Sequence, residues 1–204
     1  MKILTSWLRT YVPAIAVDDH QLAEDLTLRG IAVEGVHDLG TSASGVPNGH
    51  LFEMDITTNR VDAMHHYGIA REAATIYDLP LMPLDTALAP GMSGAGLFPV
   101  RVEAPELCGR FTARVLRGVT IAPSGGRVAE YFGLLGLKQI SNAVDASNFT
   151  LHGMGQPTHA FDLDKVEGGI IVRLARVGET LRLLDGSERA LAADDLVIAD
   201  RVKA

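Results

Sequence analysis

Apolar and polar positions follow two different periods along the chain, and each change of period marks an element. Residues 3–11 open with apolar side chains, and Val12-Pro13 breaks the run. Asp18-Asp19 can cap a helix whose apolar side is Leu22, Leu26 and Leu28, because residues about a turn apart share a helix face. Gly30 is a stop, since glycine takes the left-handed backbone that ends helices. Residues 31–36 then predict a short strand, 40–49 a loop rich in Gly, Ser, Pro and Asn, and 51–56 an alternating strand. Residues 62–77 predict a helix, with Asp62 near its start and Tyr67, Ala70, Ala74 and Tyr77 near one side.

The stretch 79–96 carries Pro80, Pro83 and Pro90 among glycines and small residues. Such composition marks a boundary, giving a domain over 1–80, a linker over 81–98 and a second domain over 99–204. In the second domain, 100–103 and 110–116 are expected strands. In the latter, Phe111, Ala113 and Val115 face one way while Arg110, Thr112 and Arg114 face the other. Ser124 is an expected cap for a helix through Leu135 that stops at Gly136. Residues 170–174, 180–184 and 196–199 are further expected strands, and Asp185-Gly186 marks a hairpin. Helices and strands mix without a βαβ rhythm. The fold class expected is therefore α+β, two domains of mixed helices and mainly antiparallel strands. The sequence stops five residues after the last apolar run, which is the pattern of a cut inside a longer protein.

Composition narrows the classes. No apolar run approaches the roughly 18 residues a membrane span requires, and residues 1–11 lack the long apolar core of a signal peptide. A single cysteine, Cys108, excludes an internal disulfide framework and points to a reducing, cytoplasmic setting. Net charge is −7, but unevenly spread: residues 1–80 hold 5 Lys/Arg against 11 Asp/Glu, and 101–204 hold 13 against 13. A general nucleic-acid binder shows a basic field. The first domain shows the opposite and is suited to protein or solvent, whereas the second has room for a local basic face.

Candidate chemistry concentrates in residues 142–162, NAVDASNFTLHGMGQPTHAFD. Three carboxamides, two histidines and two aspartates sit there among Val144, Phe149, Leu151, Met154 and Phe161. Polar groups beside apolar ones are costly unless partnered, so the stretch is either a buried network or a pocket that keeps them for a ligand. Pro157 fixes the chain before His159, and Gly153 and Gly155 permit a sharp turn that could return His159 toward Ser147 and Asn148. Ser147, His159 and Asp162 are the makings of a hydrolase triad, but no G-x-S-x-G elbow surrounds the serine. His65 and His66 point about 100° apart on a helix and read as solvated or partly packed, not as a metal pair. Cys108 has no CxxC partner and reads as a small packed side chain. Arg110 and Arg114, two pleats apart, could hold a phosphate but suit a solvated strand face better.

Several collinear blocks resemble the β subunit of bacterial phenylalanyl-tRNA synthetases. Asn142-Ala-Val-Asp145-Ala-Ser-Asn148 and Gln156-Pro-Thr-His159-Ala-Phe-Asp162 are similar to that family's N-x-V-D-V-T-N and G-Q-P-x-H-A-F-D. Ser6-Trp7-Leu8 and the run from Leu26 to Gly35 resemble its N-terminus. Asp55-Ile-Thr57-Thr58-Asn59-Arg60-Val61-Asp62 and Gly68-Ile-Ala-Arg71-Glu72 resemble its T-x-N-R-x-D and G-I-A-R-E blocks. Leu184-Asp185-Gly186 and the run from Asp195 to Asp200 fit as well. The resemblance implies an N-terminal portion of the subunit, with part of its editing domain in 99–204. It also implies an α-subunit partner in an (αβ)₂ ligase, contact with the acceptor end of tRNA(Phe), and hydrolysis of mischarged Tyr-tRNA(Phe). ATP and magnesium belong to the complete enzyme; this portion implies no cofactor or metal of its own. By position, Ser147 (where the family usually has threonine), Asn148 and His159 are the implied editing-pocket residues.

Two departures follow from the same resemblance. Only the short loop 40–49 stands where the family commonly inserts an OB-type tRNA-binding domain. The A-G-x-M-G-G block and the glutamate that recognises the tyrosyl hydroxyl are not in the sequence. Little or no hydrolysis is therefore expected from residues 1–204 alone. The alternative reading is a non-catalytic tRNA-binding or subunit-docking module.

Overall fold

The computed structural model describes residues 1–87, 98–183 and 185–204. Leu184, most of the expected 81–98 linker and Pro90 thus lie at least partly outside the described residues. The described chain is α+β, as the mixed periods imply. It forms two compact units, Met1–Thr86 with Thr120–Ala160, and Ala87–Val119 with Phe161–Ala204.

The first unit holds β1 (Lys2–Leu4), α1 (Thr5–Tyr11), α2 (Asp19–Leu28), β2 (Ala32–Asp38), β3 (His50–Asp55), α3 (His66–Ile76), α4 (Gly126–Leu135) and α5 (Asn142–Met154). Its strands form one antiparallel sheet in the order β1-β3-β2. Asp18 caps α2 by accepting the Gln21 N–H at 2.9 Å. Leu22 and Leu26 are fully buried beside Ile3, Leu8, Phe52 and Ile69. Leu28 departs from the expected apolar side: it is 80% exposed, because two positions past Leu26 is about 200° round the helix, away from the core. Gly30 takes φ +90° and turns the chain into β2.

The sequence places the next helix start too early. Asp62 lies in a short 3₁₀ turn, Val61–Ala63, and α3 begins at His66 with His65 as its cap, Nδ1 accepting the Gly68 N–H at 3.0 Å. The loop between β2 and β3 is closed on itself. Leu39 N–H donates to Gly49 O at 3.1 Å, Asn48 N–H to Gly40 O at 2.9 Å, and Thr41 bridges Pro47.

Residues 120–160 cluster with this first unit, although a cut at 80–98 divides them from it. Aromatic stacking is the physical reason. Trp7 stacks on Tyr131 of α4 at 4.9 Å and on Phe149 of α5 at 4.5 Å, and Leu4, Leu51 and Leu135 complete that cluster. Stacked rings of this size bury large apolar areas. Gly136 ends α4 with φ +68°, and Leu137 N–H returns to Phe132 O at 2.8 Å, the glycine-dependent helix stop. Ser124 is not the cap of α4, a position taken by Gly125; its hydroxyl is used elsewhere, on Asp145.

The second unit holds β4 (Val100–Val102), β5 (Ile170–Leu174), β6 (Thr180–Arg182), β7 (Glu188–Ala190) and β8 (Leu196–Ala199). β5 is central, parallel to β4 and antiparallel to β8. β6 and β7 form the hairpin expected at Asp185-Gly186, with Gly186 at φ +84° and Asp185 accepting from the Ser187 N–H and hydroxyl at 2.9 and 2.6 Å. Arg173 and Glu179 pair bidentately at 2.7 Å with side chains only 6% and 13% exposed. Those hydrogen bonds hold the Glu179 carboxyl down to about 2. Residues 110–116 form no strand, contrary to their alternation. Alternation alone does not make a strand, because pairing is decided by tertiary context and not by the local period.

Candidate functional site

The polar stretch 142–162 resolves into a helix and a turn. Ser141 caps α5, its hydroxyl accepting the Val144 N–H at 3.4 Å, and Gly155 closes it in the left-handed conformation at φ +71°. Much of the polarity is then used internally. Asp145 is fully buried and accepts from the Ser124 hydroxyl at 2.6 Å and the Ile140 N–H at 2.9 Å. The Ser124 bond, with backbone donors behind it, outweighs burial and holds the Asp145 carboxyl below its ordinary range. Asn142 donates to Thr120 O at 2.9 Å and exchanges bonds with the Ala122 backbone. Gly153 has no room for a side chain, since a Cβ there would stand 3.0 Å from the Trp7 ring.

The remaining polar groups lie at the end of α5 and in the turn after it. Ser147 and Asn148 are consecutive on α5 and half-buried. The turn over Gly155 and Pro157 brings the chain back to Ser147, and Thr158 makes the contact. The Ser147 hydroxyl donates to Thr158 O at 2.8 Å and shares a 2.7 Å bond with the Thr158 hydroxyl. His159 is the next residue and is exposed. Asp162 caps a 3₁₀ turn, Leu163–Lys165, accepting the Asp164 N–H at 3.2 Å, and pairs with Lys165 at 3.3 Å. The serine is thus a hydroxyl held by hydroxyl and carbonyl groups, an arrangement that positions a polar group more readily than it activates a nucleophile.

His66 departs from the reading of two solvated or partly packed histidines, while His65 is half-buried and fits it. His66 is fully buried, stacked on Trp7 at 4.1 Å, with both ring nitrogens bonded. Nε2 accepts the Leu4 N–H at 3.0 Å, so Nδ1 carries the proton and donates to His152 O at 2.8 Å. Burial drives its pKa down to about 3, so the ring is neutral throughout the physiological range. Burial also lowers the pKa of His65 and His152. His66 therefore ties α5 to β1 and α3 in one network, a role its sequence neighbours do not signal.

The remaining candidates are scattered. Cys108 is half-buried, with Sγ 3.5 Å from Arg110 O, and Arg110 and Arg114 are exposed on irregular backbone. Among the described residues, no group of three or more His, Cys, Asp or Glu side chains is placed to hold a metal ion. Nor is any described helix long and apolar enough to cross a membrane.

The family description "B3/4 domain" matches residues 107–204. The chain is 48% identical over 153 residues to a phenylalanine–tRNA ligase β subunit from Anaeromyxobacter dehalogenans, covering 74% of this chain and 19% of the relative. It is 42% identical over 153 residues to that of Dickeya dadantii and 43% over 152 to that of Yersinia pestis, at the same two coverages. The chain belongs to the phenylalanine–tRNA ligase β-subunit family. It spans 19% of the length of these relatives.

Several blocks that suggested this β-subunit family have structural tasks. Arg60 grips Asp62 at 3.0 and 3.1 Å and Glu72 at 2.7 Å, while Arg71 reaches Asp62 at 2.6 Å. The two motifs T-x-N-R-x-D and G-I-A-R-E are thus two sides of one ion network that lowers the Asp62 pKa, mainly through the Arg60 bonds. Gly68 is confined by the Asp62 carbonyl, which a Cβ would overlap. Asp195 and Asp200, at the two ends of β8, each fasten a turn by accepting backbone N–H groups.

Proposed function

We propose that this chain is part of a phenylalanine–tRNA ligase β subunit that binds the acceptor end of tRNA(Phe) and contributes to hydrolysis of mischarged Tyr-tRNA(Phe). A pocket selecting phenylalanine rejects an isostere with one added hydroxyl only weakly, so a second site must clear the error. In that reaction water attacks the ester carbonyl carbon, the bond to the ribose oxygen breaks, tyrosine leaves as its carboxylate and the ribose hydroxyl regains a proton.

The observation that carries the reading is the contact of Thr158 with Ser147, which returns the chain to α5 immediately before the exposed His159. Ser147, Asn148 and His159 are the residues assigned to ordering the ester, its attacking water or the terminal adenosine. Donors close to the developing oxyanion and a water close to the carbonyl are the requirements they would serve. The B3/4 match over 107–204 supports treating 99–204 as the N-terminal part of an editing domain; residues 1–80 are proposed as an N-terminal module of the subunit, against which 120–160 packs. The complete enzyme is proposed to work in the cytoplasm as an α/β assembly using ATP and magnesium, and residues 1–204 alone to hydrolyse Tyr-tRNA(Phe) slowly or not at all.

The test is His159→Ala in the full-length β subunit assembled with its α subunit. Loss of Tyr-tRNA(Phe) clearance with unchanged tRNA affinity supports editing at this position. Loss of affinity alone assigns the residue to RNA binding instead, and unchanged clearance and affinity remove His159 from the site.

A further inference from the structure

An open groove of about 500 Å³ runs between α2 and β2 in the first unit. Ala23, Leu28, Val33 and Val36 give it an apolar lining, and His20, Glu24 and Thr27 are its polar members. Three features distinguish it from ordinary surface relief. First, β2 ends its sheet, so among the described residues one side of its backbone faces no strand. The Thr27 hydroxyl accepts the Val33 N–H at 3.0 Å, closing the start of that edge from α2. Second, the pairing slips between Val33 and Gly35. A bulge adds one residue to the period-two alternation, so Val33 and Val36, three apart, line the same groove. Third, Leu28 stands on its lip 80% exposed. β2 carries neither lysine nor proline, the usual guards of an open edge.

Charge identifies the occupant. Residues 18–38 contain six Asp or Glu and a single Arg; Asp19 is buried and paired with Arg9, and the other five carboxylates still outnumber that single arginine. That arginine, Arg29, bonds back to Asp25 at 3.4 Å. Glu24 and Glu34 are both exposed, on α2 and β2. An RNA strand would be repelled here, and so would a second copy presenting the same acidic face. We propose that the free edge of β2 and its groove dock an extended segment of a protein partner, apolar at alternate positions and flanked by lysine or arginine. Backbone bonds to an edge strand supply affinity, and pockets for alternate side chains supply selectivity. The proposal is independent of the editing reading.

The test is selection of a random octapeptide display library on the whole 204-residue chain, followed by affinity measurement with the enriched peptides. Enriched sequences are expected to alternate apolar residues and carry Lys or Arg at their ends. They should shift the backbone amide resonances of residues 33–38 and bind at least tenfold more weakly to Leu28→Asp and Glu24→Lys. Leu28 and Glu24 are exposed, so both variants should keep the wild-type melting temperature, which is measured alongside. No enrichment, enrichment of acidic peptides, or equal binding by the variants overturns the proposal. So does a dimer in gel filtration that Leu28→Asp returns to monomer, since a second copy would then be the occupant.

Discussion

His66 offers the sharpest physical test. In the folded chain it is neutral, with a pKa of about 3, against an ordinary 6.5. Protonation would place a second N–H against the Leu4 N–H, with no acceptor between them. Between those two pKa values the unfolded chain binds one more proton than the folded chain, so stability falls as pH falls. The slope for one proton is about 1.4 kcal/mol per pH unit, and acidification from pH 6.5 to 5 should remove about 2 kcal/mol through His66 alone. His65 and His152, whose pKa values are also lowered by burial, steepen the slope in the same direction. The assay is urea unfolding followed by tryptophan emission, because Trp7 is the only tryptophan and stacks directly on His66. His66→Gln keeps a donor and an acceptor but does not titrate, so its stability should fall less steeply with acid, by about one proton. Identical pH dependence in the two proteins would refute the argument. A native-state change in Trp7 emission centred near pH 6 would refute it too, since an imidazolium would then form inside the fold.

Further expectations use other contacts. His66→Leu should cost several times the effect of a surface change, about 1–3 kcal/mol for each of the Leu4 N–H and His152 carbonyl left unpaired, read from urea midpoints at pH 7.5. Gly153→Ala should destabilise the first unit by about 1–3 kcal/mol, the usual cost of overpacking, because its methyl would press on Trp7; a shift in Trp7 emission should accompany the loss. Glu179→Gln should weaken the second unit at neutral pH and converge with the wild type in acid. The Glu179 contribution is complete above its ordinary 4.5 and is lost as pH falls toward about 2; hydrogen exchange of β5 amides is the readout. Ser147→Ala should loosen the turn at Thr158 at a cost of about 0.5–1.5 kcal/mol, seen as faster amide exchange in residues 155–160 with little change in overall melting.

Local signals were strong enough to determine much of this protein without coordinates. The Asp18 cap, the buried Leu22 and Leu26, the stops at Gly30 and Gly136, and the Asp185-Gly186 hairpin depend on neighbours within a few residues, so the chain order itself encodes them. The family motifs were legible for the same reason, as ordered blocks. What tertiary structure decided is which polar groups were already spoken for. His66 binds residues 62 and 86 positions away. Asp145 consumes the Ser124 hydroxyl that a local reading assigns to a helix cap. Residues 110–116 carry a strand's alternation, yet strand pairing is set by tertiary context, which no local pattern reports. Periodicity gives the direction a side chain faces along its own element; only packing decides whether protein, solvent or a partner stands there.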